Sequence, residues 1–216
     1  VVGTSGAGKS TLLRTVNGLE TPSEGTVTVL DRDPARLQQS GLRSLRREVA
    51  MIFQHYNLLG SRTVAENVAM PLRLAGTAKE DVDKRVSESL DRVGLADRAH
   101  HRPRQLSGGQ RQRIGIARGL ALNPDVIILD EPVSALDVSV QAQVMNLLDD
   151  LQVEFGLSYI FIAHVLSVVR HISDRVGVMY LGKIVEIGTE EEIYGAPAHP
   201  YTQALLSAVP VPDPTL

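Results

Sequence analysis

Residues 1–11 read VVGTSGAGKST, and they predict a strand, a phosphate-binding turn and a helix in succession. Two β-branched apolar residues predict a short strand that leads into a glycine-rich turn. Residues 3–10 fit the pattern GxxxxGK[ST], in which glycines let consecutive backbone N–H groups point at phosphate oxygens. A helix is predicted to follow and to aim its positive N-terminal end at the same place. Its apolar side is predicted to carry Leu12, Leu13, Val16 and Leu19.

The composition indicates a globular domain and excludes several classes of site. Hydrophobic residues make up 43% and charged residues 22% of the 216 residues, which is an ordinary balance for a chain that buries its own core. The net charge of −3 gives no excess of positive charge to attract nucleic acid. Without any cysteine, disulfides, thiolate metal sites and cysteine nucleophiles are excluded. Neither a membrane span nor a signal peptide is predicted.

Short apolar runs that predict strands alternate with helical patterns along the chain. The predicted strands are residues 27–30, 49–53, 126–129, 158–162, 176–180 and 183–187, and the last two are predicted to form a hairpin. A helix with an apolar face from Val140 to Leu151 is predicted to end at Gly156, and short helices are predicted after Thr189 and over residues 201–209. Residues 62–115 read as mostly helical. The pattern therefore predicts an α/β core with a helical insertion between its second and third strands.

Three further features carry chemistry. Lys9 is predicted to bridge the β- and γ-phosphates of a nucleotide, and the Ser10 hydroxyl to ligate Mg²⁺. Asp130 follows the apolar strand 126–129, at the end where α/β sheets bind ligands, and can hold Mg²⁺ through water. Glu131, one residue on, can polarise an attacking water.

The stretch Leu106-Ser107-Gly108-Gly109-Gln110 predicts a second helix N-terminus that could bind phosphate. Ser107 is a suitable N-cap, and the two glycines would let a phosphate approach the backbone closely. From these residues alone, the chain holds two candidate phosphate-binding helix N-termini, and nothing says that they share a ligand.

Together these residues resemble the nucleotide-binding subunit of ATP-binding cassette (ABC) transporters. The resemblance runs over essentially the whole chain: Walker A is Gly3–Thr11, the signature is Leu106–Gln110 and Walker B is Val126–Glu131. It implies a P-loop NTPase (RecA-like) fold of ABC ATPase type, with a mainly parallel sheet core at residues 1–61 and 116–216 and an inserted α-helical subdomain at 62–115. Further matches are Gln54 for the Q-loop, His164 for the switch histidine, and Ser134, Ala135, Leu136 and Asp137 for the D-loop.

The resemblance also implies roles for these residues. ATP would be bound by Gln54 and by the loop residues Gly3, Thr4, Ser5, Gly6, Ala7, Gly8, Lys9, Ser10 and Thr11. Ser10, Gln54 and Asp130 would hold Mg²⁺, Glu131 would be the general base, and His164 would contact the γ-phosphate. A second ATPase subunit would pair head to tail, placing residues Leu106, Ser107, Gly108, Gly109 and Gln110 opposite the first subunit's ATP.

The first half of the chain resembles methionine-importer ATPases, and the second half resembles oligopeptide and dipeptide importer ATPases. The implied partners are two integral membrane permease subunits and an extracytoplasmic substrate-binding protein, with no nucleic acid. The implied location is peripheral, on the cytoplasmic face of the bacterial inner membrane. Two alternatives remain open: a soluble ABC ATPase that acts on nucleic acid or ribosomes, and a truncated nucleotide-binding fragment with no turnover.

The sequence departs from the family pattern in two places near the predicted site. Strands that normally precede the phosphate loop, with an aromatic residue that stacks on adenine, are expected to lie outside these residues. No later aromatic residue can be assigned to that role from the sequence. The position after His164 is Val165, where the family usually has an acidic residue, so the packing of that loop is expected to differ.

Overall fold

The computed structural model describes residues 1–163 and 166–208. The strands are β1 (Val49–Ile52), β2 (Val126–Asp130), β3 (Ser158–Ile162), β4 (Arg175–Tyr180) and β5 (Lys183–Thr189). The helices are α1 (Lys9–Val16), α2 (Gln39–Glu48), α3 (Val64–Leu74), α4 (Lys79–Arg92), α5 (Gly108–Leu120), α6 (Val138–Phe155), α7 (Leu166–Ile172), α8 (Glu190–Gly195) and α9 (Pro200–Ser207). Short 3₁₀ turns occupy Pro34–Arg36, Ala96–Arg98 and Pro103–Gln105.

A parallel sheet lies at the centre, in the order β1–β2–β3. The segment Val1–Val2 continues it: the Val1 nitrogen donates to the carbonyl of Phe161 in β3, and Val2 forms a parallel bridge with Val178 in β4. The antiparallel hairpin β4–β5 follows. Strand β2 is apolar and buried on both sides, as a central parallel strand should be. The stretch that enters the phosphate loop thus lies between β3 and β4.

The local sequence explains where the helices begin and end. Thr63, Ser107 and Thr189 cap α3, α5 and α8, each in a capping box with the residue three positions later. Gly156, with φ of 62°, ends α6 in the left-handed conformation. One buried apolar cluster includes residues of the strands and of the helices α3, α4 and α5. The predicted division into core (1–61 and 116–216) and helical subdomain (62–115) stays a prediction.

The predicted strand at residues 27–30 is wrong. The only bridge there joins Val29 to Arg32, and Leu30 and Asp31 between them have positive φ, so the chain turns back after one pair. No other described segment pairs with this alternating pattern, and alternation without a partner does not make a strand. The helical insertion consequently lies between the first and second strands of the described residues. The side of α1 predicted to be buried is also corrected, because Leu13 is buried but Leu12 and Leu19 are exposed.

The close approach of Gly3 to β4 gives a stability prediction. A Cβ at Gly3 would lie 2.1 Å from the carbonyl oxygen of Met179, and Gly3 has φ of 150°. The close atom belongs to the backbone of β4 and cannot move aside as a flexible side chain could. Gly3→Ala should therefore lower the free energy of unfolding by roughly 3 kcal/mol. The matched control is Gly115→Ala within α5, where a Cβ meets nothing within 4 Å and should raise stability by up to about 1 kcal/mol. Urea unfolding of both variants measures the difference, and equal stabilities would contradict the crowding at Gly3.

Candidate functional site

The phosphate loop connects Val2 to α1 and wraps around the side chain of Lys9. Its glycines at positions 3, 6 and 8 all have positive φ, which lets the backbone fold back on itself. Lys9 is 5% exposed, and its Nζ donates to the carbonyl oxygens of Gly3 (2.9 Å) and Thr4 (2.8 Å). Burial lowers the pKa of Lys9, while Glu131, Tyr201 and Asp130 act to raise it. The result is a buried cation held by two carbonyl oxygens of the loop.

Asp130 joins the phosphate loop to the central strand. It ends β2, is buried, and its Oδ1 accepts a 2.9 Å hydrogen bond from the Ser10 hydroxyl. These two oxygens come from segments 120 residues apart. Mg²⁺ prefers oxygen ligands and is usually held by one or two carboxylates together with substrate phosphates. The donor set of Ser10 and Asp130 therefore fits Mg²⁺, and among the described residues no group of three or more His, Cys, Asp and Glu side chains offers a different metal site.

Glu131 lies immediately after the strand, where the backbone changes direction. Its φ of 50° turns the chain away from β2, and its N–H donates to the carbonyl of Ile162 at 3.1 Å. The Ser134 hydroxyl donates to the Glu131 carbonyl at 3.1 Å, and Gln54 Nε2 donates to that hydroxyl at 3.3 Å. Ser134 thereby links Gln54 with Glu131, a connection that spacing along the sequence does not reveal.

The segment Leu106–Gln110 forms the start of α5. Ser107 Oγ accepts from the Gln110 N–H at 3.3 Å, and Gln110 Oε1 accepts from the Ser107 N–H at 3.0 Å. A Cβ at Gly108 would lie 3.3 Å from Leu136 Cδ2, and one at Gly109 would lie 2.5 Å from Val140 Cγ1. The glycines therefore let this helix end pack against α6 and the segment that leads into it.

The predicted D-loop residues lie between β2 and α6. Ser134, Ala135 and Asp137 are exposed, and Asp137 is the N-cap residue of α6. Leu136 is half-buried, and its carbonyl accepts a 2.8 Å hydrogen bond from Gln141 Nε2. His164 and Val165 lie outside the described residues.

Two tyrosines that the sequence did not single out lie beside the phosphate loop. The Thr4 N–H donates to the Tyr201 hydroxyl at 3.1 Å, and the rings of Tyr180 and Tyr201 stack with centroids 4.1 Å apart and an interplanar angle of 24°. The turn of the β4–β5 hairpin also contacts the loop, because the Gly182 N–H donates to the Ala7 carbonyl at 3.1 Å. No motif spacing signals this arrangement, since Tyr201 is 197 residues from Thr4.

An open groove of about 340 Å³ lies between α2, β1, α3 and α5. Met70, Pro71 and Leu74 of α3 form much of its apolar side, and Arg47 and Arg118 also line it. Arg118 donates to the carbonyl oxygens of Asn57 (2.7 Å) and Tyr56 (3.0 Å), so it holds the segment that follows Gln54. Within the described parts of the chain, no helix has both the length and the apolar character needed to cross a membrane.

Known proteins with similar sequences include ATP-binding proteins, in agreement with a phosphate loop beside the end of β2. Residues 1–134 match the ABC transporter family, and residues 185–216 match the C-terminal region of oligopeptide/dipeptide transporters. The chain is 52% identical over 204 residues to the methionine import ATP-binding protein MetN 1 of Pseudomonas fluorescens. It is 54% identical over 198 residues to the methionine import ATP-binding protein MetN of Caulobacter vibrioides. The resemblance to both importer groups is confirmed, and the methionine-importer similarity extends well beyond the first half.

These matches cover 94% and 92% of this chain but 61% and 60% of the two relatives, so the chain spans only part of their length. The structure also resembles the ATP-binding cassette MJ0796, solved as a dimeric post-hydrolysis state bound to ADP and Pi. The TM-score is 0.79 at 35% identity, over 88% of this chain and 83% of that one. This likeness confirms the expected P-loop NTPase fold of ABC ATPase type. The chain therefore belongs to the ABC transporter family and contains its ATP-binding cassette fold.

Proposed function

We propose that this chain is the ATP-binding and ATP-hydrolysing subunit of a bacterial ABC importer. The observation that carries the proposal is the meeting of Lys9, Ser10 and Asp130, because a buried cation and a hydroxyl–carboxylate pair face one glycine-rich loop. A polyphosphate needs such a cation and a glycine-rich loop whose backbone can approach it closely, and its metal needs such oxygens. Few other ligands would use all of these groups at once.

Hydrolysis would break the bond between the β–γ bridging oxygen and the γ-phosphorus, leaving ADP and phosphate. The phosphate loop (residues 3–11) and Lys9 bind and orient the phosphates, and they offset the charge that develops in the transition state. Ser10, Asp130 and Gln54 would hold Mg²⁺, which supplies charge neutralisation at the β- and γ-phosphates. Glu131 would accept the proton of the attacking water, and His164 would have the role that the family resemblance gives it, contact with the γ-phosphate.

A second copy of the cassette would complete the site. The N-terminus of α5 has its capping box satisfied within the chain, and Ser107 at its tip is exposed. We propose that residues 106–110 face the ATP of the partner in a head-to-tail dimer and that Asp137 contacts the partner. The dimeric state of the related cassette MJ0796 supports this pairing.

The groove beside α3 is the proposed contact for the membrane permease subunits. It is lined by apolar side chains and by Arg46, Arg47 and Arg118, and Arg118 connects it to the segment after Gln54. A permease segment seated there would therefore act on the same loop that carries Gln54. The subunit would be peripheral, on the cytoplasmic face of the inner membrane, and would work with an extracytoplasmic substrate-binding protein.

Leu74→Asp tests this groove. Leu74 is 80% exposed, so an aspartate there should not disturb folding or the basal ATPase rate, but it should weaken binding to the permease subunits at least tenfold. The matched control is Val153→Asp on α6, because Val153 is 87% exposed and does not line the groove. Binding is measured by co-purification with co-expressed permease subunits of a methionine importer. Equal retention of both variants would argue against the groove as the contact.

The cargo is proposed to be a methionine-like amino acid or a peptide. The relatives named as methionine import proteins support the first, and the oligopeptide/dipeptide C-terminal match supports the second. Reconstitution with the permease and binding protein in liposomes, with labelled methionine and a dipeptide supplied in turn, tests both. ATP-dependent uptake of one of them would support the importer. A chain that co-purifies with RNA or DNA, whose ATPase rate is raised by that nucleic acid and which supports no uptake of methionine or dipeptide, would instead favour an ABC ATPase that acts on nucleic acid.

A further inference from the structure

The β4–β5 hairpin and α9 hold the phosphate loop from outside its own residues. The Gly182 N–H, in the turn of the hairpin, donates to the Ala7 carbonyl at 3.1 Å. The Tyr201 hydroxyl, in the first turn of α9, accepts from the Thr4 N–H at 3.1 Å. Both elements come late in the chain, yet each fixes a backbone group of a loop that lies near its start.

The peptide group between Gly3 and Thr4 is held at both of its ends. Its carbonyl, that of Gly3, accepts from Lys9 Nζ at 2.9 Å, and its N–H, that of Thr4, donates to the Tyr201 hydroxyl. A peptide group is planar, with its C=O and N–H pointing in opposite directions, so two such hydrogen bonds fix its orientation. Hydrogen bonds in a chain of this kind also polarise and strengthen one another. The Tyr201 hydroxyl and the Lys9 ammonium are therefore linked through one rigid group.

This link reaches the cation that the proposed function uses to bind phosphate. Lys9 Nζ also donates to the Thr4 carbonyl at 2.8 Å, so both of its acceptors belong to the two residues that this peptide joins. Burial lowers the pKa of Lys9, and Tyr201 is among the groups near enough to act in the opposite direction. A peptide released from Tyr201 could turn its carbonyl away from Lys9, which would leave the ammonium less firmly placed.

The position of Tyr201 is itself fixed by the hairpin. Glu186 of β5 accepts from the N–H groups of Ala198 (2.7 Å) and His199 (3.1 Å), just before α9 begins. His199 Nδ1 then accepts from the Tyr201 N–H at 3.1 Å, and the Tyr201 ring stacks on that of Tyr180 at the end of β4. A hydroxyl held in this way keeps its place without further ordering when a ligand binds.

We propose that Tyr201 is a positioning residue for phosphate binding, whose hydroxyl orients the Gly3–Thr4 peptide and, through it, the Lys9 ammonium. Tyr201 acts on the ligand through these groups, so it serves any phosphate chain, with or without a base. The proposal rests on the proposed function, because it needs a phosphate ligand on the loop. It gives α9 control over a loop at the opposite end of the sequence.

Tyr201→Phe tests the proposal, because it removes the hydroxyl and keeps the ring that stacks on Tyr180. The matched control is Tyr159→Phe, which loses a hydroxyl that joins β3 to the Leu148 carbonyl of α6 at 2.8 Å. Calorimetric titration should show Tyr201→Phe binding magnesium tripolyphosphate and MgATP about fivefold more weakly than the wild type, the effect of one hydrogen bond. The KM for ATP hydrolysis should rise by a similar factor with kcat within about twofold, since the placement of Lys9 serves ground and transition states alike. Tyr159→Phe should match the wild type in both measurements.

A second measurement follows the contact itself. The Thr4 N–H loses its acceptor in Tyr201→Phe, so its exchange with deuterium should be at least about tenfold faster than in the wild type or in Tyr159→Phe. This readout needs no ligand and no turnover. A general loss of stability would instead speed exchange at many amides together, and thermal unfolding of the two variants would show it.

Each other outcome overturns the proposal in a recognisable way. Unchanged affinity of Tyr201→Phe, a loss for MgATP without a loss for tripolyphosphate, or a fall in kcat at constant KM would reject the positioning role and leave the proposed function standing. Faster exchange at Thr4 without weaker binding, or the reverse, would show that the contact does not act through Lys9. A Tyr201→Phe chain that no longer unfolds cooperatively would assign the hydroxyl to folding. A wild type that binds neither ligand would reject the proposed function as well.

Discussion

Lys9→Ala is expected to abolish measurable MgATP binding. Lys9 brings the only cation that the structure places inside the phosphate loop among the described residues, held by the carbonyls of Gly3 and Thr4. A charge-assisted hydrogen bond is worth roughly 1.5–3 kcal/mol, so losing two to the phosphates should weaken binding by about 10²–10³-fold or more. The substitution also leaves two carbonyls without their partner, which should lower stability by about 1–3 kcal/mol.

Calorimetric titration of MgATP into Lys9→Ala measures the loss, with thermal unfolding as the check on folding. Lys84→Ala is the matched control, because Lys84 lies exposed on α4 and its removal takes away the same charge. If Lys9→Ala remained folded and bound MgATP as tightly as Lys84→Ala, the loop would not be the phosphate site. The buried ammonium group of Lys9 would then need a role other than phosphate binding.

Local patterns predicted the parts of the fold whose causes are local. The phosphate loop, the N-cap at Ser107, the helix that begins after Thr189 and the left-handed end of α6 at Gly156 all depend on residues within a few positions of each other. The parallel strands were predicted for a related reason, because an apolar run such as residues 126–129 has few alternatives to a buried strand. Such features need no knowledge of the rest of the chain.

The sequence-based predictions were wrong or incomplete where a strand, a buried face or a contact depends on segments that are distant along the chain. The alternating residues 27–30 read as a strand, but whether such a pattern forms one depends on a partner that the pattern does not name. The exposure of Leu12 depends on what packs over α1, and the contact of Tyr201 with Thr4 joins opposite ends of the chain. The link from Gln54 through Ser134 to Glu131 is likewise tertiary.

Glu131→Gln is expected to stop turnover while keeping ATP binding. The carboxylate is the proposed acceptor of the water proton, and a glutamine of nearly the same shape cannot take it. General-base catalysis contributes about 10²–10⁴-fold, so the rate of phosphate release should fall by at least about 100-fold. Affinity should be kept or raised, because Glu131 is negative, lies near enough to raise the pKa of Lys9, and is not itself a phosphate ligand.

The same substitution should trap the dimer, since only hydrolysis would separate two cassettes that share their ATP. Gel filtration with MgATP should therefore show a dimer for Glu131→Gln and mainly monomer for Glu191→Gln, an exposed α8 control that loses the same charge. Measuring phosphate release alongside gel filtration distinguishes the role of Glu131 as general base from the effect of its substitution on the dimer. Full-rate release by Glu131→Gln would remove it as the base, whereas no release and no dimer would keep the base but reject residues 106–110 as the partner's half of the site.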